Sequence, residues 1–159
     1  MIVCLVTRQD LYPAVHGAAV KIVRTAEGLS RHCGTSYAVT TDRLAYHRWR
    51  VGQHEMVPYP ARLVAATRTP DGVDRWCRDH GLPDYWELVQ RILNRVGYPR
   101  EEHLLYQPVV DADFWIRTLY VGLRHGVDVF QAEFPGFAVP CILAAAITRA
   151  RTAVAEHNA

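Results

Sequence analysis

MIVCLVTRQDLYPAVHGAAVKIVRTAEGLSR, residues 1–31, reads as strand, then loop, then helix, and that order decides the fold. Ile2 to Val6 are apolar and rich in β-branched residues, as a strand buried on both faces requires. A polar break, Thr7 to Pro13, separates them from a segment that opens a helix at Gly17. Ala19, Ile22, Val23, Ala26 and Leu29 then recur at helical spacing and predict one buried face. A helix start presents unpaired N–H groups and about half a positive charge, so it can hold an anion. Glycine at that start lets a ligand approach the backbone with no Cβ in the way. The same pattern also fits an ordinary strand-to-helix turn with an incidental glycine.

The remaining sequence alternates in the same manner. His32-Cys33-Gly34 stops the helix, and Ser36 to Thr40 forms a second strand, expected to pair in parallel with the first. Residues 42–53 are polar and aromatic and read as a loop or an irregular excursion, and His54 to Tyr59 reads as a short third strand limited by Pro58. A short helix is expected over 71–81. Trp86 to Val96 is an amphipathic helix with Asp84 as its cap and Gly97 and Pro99 beyond its end. A further helix runs from about Asp113 to His125, capped by Asp111 or Asp113 and closed by Gly126. Val127 to Glu133 then form a strand, Ala138 to Thr148 a helix and Thr152 to Glu156 a strand. This alternation specifies an α/β sandwich with a mainly parallel sheet, with residues 1–159 as one domain.

Composition narrows the function. The chain has 159 residues, half of them hydrophobic, enough to bury a core and to exclude disorder. A net charge of +2, carried by dispersed residues, argues against a nucleic-acid surface. Lys21 is the only lysine; arginine suits phosphate recognition, but such a skew also follows from genomic base composition. Cys4, Cys33, Cys77 and Cys141 are widely separated, which predicts free thiols and a reducing, cytosolic compartment. No run is long enough for a membrane span. The histidines show no paired metal-ligand spacing, so no metal is expected.

In a sheet of this kind ligands bind outside the carboxyl ends of the strands. The groups there are Gln9 to Gly17, Thr41, Asp42, Gln131 to Gly136, and Glu156 to Asn158. Glu133, Glu156, His157 and Asn158 therefore share a rim with the glycine-led helix start. Bland roles remain open: Glu133 as a helix cap or an arginine partner, and His157 as a solvated chain-end residue.

These residues, in this order, resemble the N-terminal, acceptor-side domain of a GT-B glycosyltransferase of family 4. The features that carry the likeness are the P-x-x-x-G loop at Pro13 to Gly17, the helix ending in LSR, the strand ending in TT, and then DVFQAEFPGFAVP and EHN. The resemblance implies a Rossmann-like three-layer α/β/α sandwich forming one half of the GT-B fold. It also implies transfer of a sugar from a nucleotide-sugar donor to a hydroxyl acceptor, with retention and without a metal or other cofactor. Carried over, His16, Gly17, Ala18 and Ala19 would meet the donor phosphate, Glu133 would stand at the reacting centre, and Gln131, Glu156, His157 and Asn158 would line the acceptor cleft. Members commonly carry two glycines where this chain has His16 and Gly17, and many carry a histidine where it has Glu133. A carboxylate accepts hydrogen bonds and cannot donate as a neutral imidazole does, so the role changes. The chain stops just after EHN, so the resemblance implies a truncated domain, inactive alone, whose donor half comes from a missing domain or a second chain. Its implied location is cytoplasmic, with peripheral attachment at the inner membrane face as a variant. A non-catalytic interaction module retaining the fold is the alternative. A dinucleotide-binding domain ranks last, because G-x-G-x-x-G is absent after the first strand.

Overall fold

A computed structural model describes residues 1–66, 78–83, 85–97 and 111–155. Among them six strands form one sheet: β1 (Val3–Val6), β2 (Thr35–Val39), β3 (Ala45–Arg50), β4 (Gln53–Pro58), β5 (Val129–Ala132) and β6 (Arg151–Val154). Their order is β4-β3-β2-β1-β5-β6. β1 pairs in parallel with β2 and with β5, and β5 in parallel with β6. β3 pairs antiparallel with both of its neighbours, β2 and β4. The chain is thus an α/β fold with a mostly parallel sheet.

Among the described residues five helices accompany the sheet: α1 (Gly17–Cys33), α2 (Ala61–Ala66), α3 (Tyr85–Arg95), α4 (Ala112–His125) and α5 (Ala138–Thr148), with a 3-10 turn over Pro135–Phe137. β1 is central and wholly buried, as its unbroken apolar run requires. Its alternation divides the core. Val3 and Leu5 pack with Ala19, Ile22, Val23 and Ala26 of α1, whereas Cys4 and Val6 pack with Phe114 and Val121 of α4 and Cys141 of α5. Each large apolar side chain enclosed in this way contributes about 1.5–3 kcal/mol.

Helix boundaries follow local signals. α1 begins at Gly17, and Gly34, at a φ of +83°, ends it with its N–H on Ser30 O. Asp111, not Asp113, caps α4: its carboxylate accepts from Phe114 N at 3.1 Å, and Gly126 closes the helix in the left-handed conformation. α5 spans the range expected from sequence. On α3, Leu93 is buried and Ile92 exposed, and Val96 just past its end is exposed. Asp84 and most of the expected 71–81 helix lie outside the described residues.

One expectation fails. Residues 42–53 are not a loop: Ala45–Arg50 form β3, joined to β4 by a two-residue turn at Val51 and Gly52. Gly52 takes a φ of +70°, which only glycine adopts at little cost. The β1–α1 loop folds over this hairpin. Tyr12 stacks on His54 at 4.1 Å between ring centres and accepts a hydrogen bond from Trp49 Nε1 at 3.2 Å. Beneath it, His47 Nδ1 and His54 Nε2 lie 3.0 Å apart and share a hydrogen bond. Cys4, Cys33 and Cys141 are free thiols. Burial pushes the thiols of Cys4 and Cys141 up, which makes both inert as nucleophiles.

Candidate functional site

The strand order reverses between β1 and β5. From β1 the chain crosses through α1 to β2 on one side, and from β5 it crosses through α5 to β6 on the other. The crevice outside the carboxyl ends of two such strands is where ligands of open α/β sheets sit. Thr7 follows β1 and Glu133 follows β5, and both are buried. They are tied to the sheet: Thr7 N donates to Val39 O at 3.0 Å, and Glu133 N donates to Val6 O at 3.1 Å.

α1 starts at this edge. His16 occupies the cap position with extended backbone but supplies no side-chain cap, and the first turn holds no acidic residue. Val20 N donates to His16 O at 2.9 Å, so the amides of Gly17, Ala18 and Ala19 precede the first intrahelical bond. Apart from its chain neighbours and the backbone of its own helix, no heavy atom lies within 4 Å of where a Cβ on Gly17 would project. His16 and Gly17 are exposed, whereas the Ala19 side chain is fully buried against the sheet and offers a ligand only its amide.

Glu133 is 1% exposed, and its Oε1 accepts from Gln131 Nε2 at 2.8 Å. The structure therefore brings Gln131 and Glu133 together. Neither the 3-10 turn nor α5 receives a side-chain cap from its N-cap residue, Phe134 or Phe137, and Glu133 stands before both cap positions. Glu156, His157 and Asn158 lie outside the described residues.

Further groups at the same edge are not evident from the sequence. Arg117 of α4 is 1% exposed. Its Nη1 donates to the carbonyls of Thr40 and Thr41, both at 3.4 Å, and to that of Asp42, while Nε donates to Asp113 O at 3.2 Å. Its guanidinium also lies 5.3 Å from the centre of the Phe114 ring. Burial, and to a lesser degree Arg43, lowers its pKa, opposed by Tyr59, Asp111 and Asp113. Asp42 Oδ1 accepts from Leu44 N and Ala45 N, which shapes the turn into β3. Arg43 pairs with Asp113 at 3.1 Å. The β2 exit is thus clamped to the start of α4.

The described cavities lie elsewhere. A cavity of about 810 Å³ opens at the amino ends of β5 and β6, between Leu123, Val127, Ile147, Arg149 and Arg151. Another of about 230 Å³ lies between the end of α1 and the β3–β4 turn, at Glu27, Arg31, Gly52 and His54. Neither includes a site residue expected from sequence. Among the described residues no helix is long and apolar enough to cross a membrane, and no three His, Cys, Asp or Glu residues group as metal ligands. Compared with known proteins, the chain matches no family model, no curated protein and no solved structure.

Proposed function

We propose that this chain is the acceptor-side half of a GT-B glycosyltransferase of the family 4 type, a Rossmann-like three-layer domain. It would act in transfer of a sugar from a nucleotide-sugar to a hydroxyl acceptor, with a donor-side domain or chain completing the site. The observation that carries this reading is the reversal of strand order between β1 and β5, with the open start of α1 and the buried Glu133 at the same edge. In this reading the amides of Gly17, Ala18 and Ala19 receive donor phosphate oxygens, with the helix dipole favouring the negative charge. Gly17 admits that approach because nothing occupies the space over its Cα. His16 is exposed beside it and adds a donor at the phosphate. Glu133, anchored by Gln131, accepts a hydrogen bond from an acceptor or sugar hydroxyl and orients it.

The test is an amide NMR titration with uridine and guanosine diphosphate sugars. Gly17, Ala18 and Ala19 should shift saturably. Gly17→Val should leave stability nearly unchanged, because a Cβ there meets no atom within 4 Å, and should abolish those shifts. Absence of any response at the α1 start, or equal affinity in the folded valine variant, refutes the assignment. A response to bare nucleotides alone, with no transfer after the donor half is supplied, favours the interaction module.

A further inference from the structure

We propose that the cavity at the amino ends of β5 and β6 binds an amphiphilic anion, a small molecule with a carboxylate or phosphate head and an apolar body. The site lies on the sheet edge opposite the start of α1 and does not rest on the glycosyltransferase reading.

The cavity measures about 810 Å³, within the roughly 300–1,000 Å³ that small-molecule sites occupy. It opens where α4 and α5 end, and its apolar wall is Leu123, Val127 and Ile147. Val127 is buried, but Leu123 and Ile147 are 62% and 61% exposed. They are the last large apolar side chains of their helices. A ligand body laid against them would remove from water a surface that the fold leaves open.

The end of α5 is unusual in a way that bears on the same cavity. α1 and α4 end on glycines with positive φ, Gly34 and Gly126, where the absence of a Cβ makes that backbone easy. α5 ends on Arg149, which takes a φ of +61° with a full side chain. Such a conformation is held at a cost, and outliers of this kind concentrate at ligand sites. Arg149 lines the cavity, and Arg151, at the start of β6, lines it too. Both are exposed, and among the described residues neither guanidinium has an ion-pair or hydrogen-bond partner. The carboxylate in the lining is Asp128, which accepts from Ile2 N at 2.6 Å and lies 3.9 Å from the Met1 amine. The ends of α4 and α5 carry about half a negative charge each, less together than the two guanidinium groups, and Arg124 in the last turn of α4 offsets its share. The cavity thus sets net positive charge beside an apolar wall. A guanidinium fork complements a carboxylate or phosphate, whereas a neutral or cationic ligand would leave both arginines unmatched.

The experiment titrates the chain with octyl phosphate, octanoate, inorganic phosphate, acetate and octylammonium, reading the Arg149 and Arg151 side-chain Nε signals and the Leu123 and Ile147 methyl signals. An octyl anion should shift both sets saturably, and the tighter of the two identifies the head group. The matching head alone should bind at least tenfold more weakly, and octylammonium should not bind. Arg149→Gly should weaken the octyl anion about tenfold, the value of one charge-assisted hydrogen bond. Its melting temperature should hold or rise, because glycine takes this φ at little cost. Ile147→Asn, at an already exposed position, should weaken binding as well. No saturable shift with either octyl anion overturns the proposal, as does unchanged affinity in Arg149→Gly. Equal affinity for the bare head overturns it too, marking an adventitious ion only. Shifts seen with anionic phospholipid vesicles but not with the free anions overturn it in favour of a membrane surface. The Gly17 amide reports on nucleotide-sugars at the opposite edge, so the two readings fail separately.

Discussion

Gly122 sits in the interior of α4, where alanine would ordinarily stabilise a helix by about 1 kcal/mol. Here the structure reverses the sign. A Cβ at Gly122 would stand 2.5 Å from Cζ of Phe130 and 3.3 Å from Cγ2 of Thr148. Carbon atoms pack best about 3.5–4.0 Å apart, so the ring or the helix must retreat by about 1 Å. Phe130 is fully buried on β5, held by neighbours in the same core as Phe114, Phe137 and Cys141. Thr148 closes the other direction from α5, so α4 cannot slide away from one contact without meeting the other. Overpacking of this kind costs about 1–3 kcal/mol. With obstruction on two elements the upper half of that range applies, and the helix-propensity gain offsets part of it. Gly122→Ala should lose about 1–2 kcal/mol, read in urea unfolding, or about 2–8 °C in melting temperature for a chain of this size. Phe130→Leu in the alanine background should restore part of the loss, giving a coupling of at least ~1 kcal/mol between the two positions. Gly122→Ala as stable as the parent would refute the packing argument.

Acid should loosen the β3–β4 region through His47, and capping should be measurable at α4. Burial, then the neighbouring His54, lowers the His47 pKa from 6.5 to about 4, with Asp42 and Asp10 opposing. The unfolded chain therefore takes up a proton at about pH 6.5 that the folded chain refuses until about pH 4. The His47 contribution is complete above pH 6.5 and is lost across that window as pH falls, a change of about 3 kcal/mol. Burial lowers His54 and His125 as well, so they act with the same sign. Urea midpoints at pH 7.5 and 4.5, together with the His47 imidazole titration, check this; a His47 midpoint near 6.5 in the folded protein would contradict it. Asp111→Ala removes the side-chain acceptor of Phe114 N and should cost about 1 kcal/mol in the same assay; a loss below a few tenths would mean the cap is not what holds that turn.

The parts of the fold legible in the sequence are those fixed by neighbours along the chain. α1 begins at Gly17 and α5 spans Ala138–Thr148 as their helical periodicity requires, and the strand-helix-strand order announces parallel pairing. β3 escaped because AYHRWR does not alternate apolar with polar residues. Tyr46 belongs to the core shared with α4 and α5, while Trp49 belongs to the one shared with α1, so both faces carry large side chains. The Val51–Gly52 turn was the available signal. Arg117 was invisible for a different reason. Within DFWIRTLYVGLRH it reads as one of the charged residues on a solvent-facing side, and only contacts to carbonyls some 75 residues away bury it. The Glu133–Gln131 pair was legible, since residues two apart on a strand lie on one side.

The sheet offers two edges to a ligand, and the cavity of greater volume among those described lies opposite the proposed donor-phosphate site. The cavity of about 810 Å³ lies where α4 and α5 end; the partial negative charge of those helix ends is countered by Arg149 and Arg151 in its lining. Among the described residues the opposite edge receives the starts of α1, α4 and α5, whose partial positive ends stand beside the carboxylates of Asp111, Asp113 and Glu133. Those starts are not equivalent. α4 is capped by Asp111 and has Asp113 in its first turn. α5 continues a 3-10 turn in which Phe137 N already donates to Phe134 O and Ala138 N to Pro135 O. α1 has neither a side-chain cap nor a first-turn acid, and its leading residue is glycine with open space above it. An arriving anion therefore displaces no internal partner at α1, whereas at α4 it must compete with a carboxylate and at α5 with the turn's own carbonyls. In the proposed reading, that difference favours the start of α1 over those of α4 and α5 for the donor phosphate.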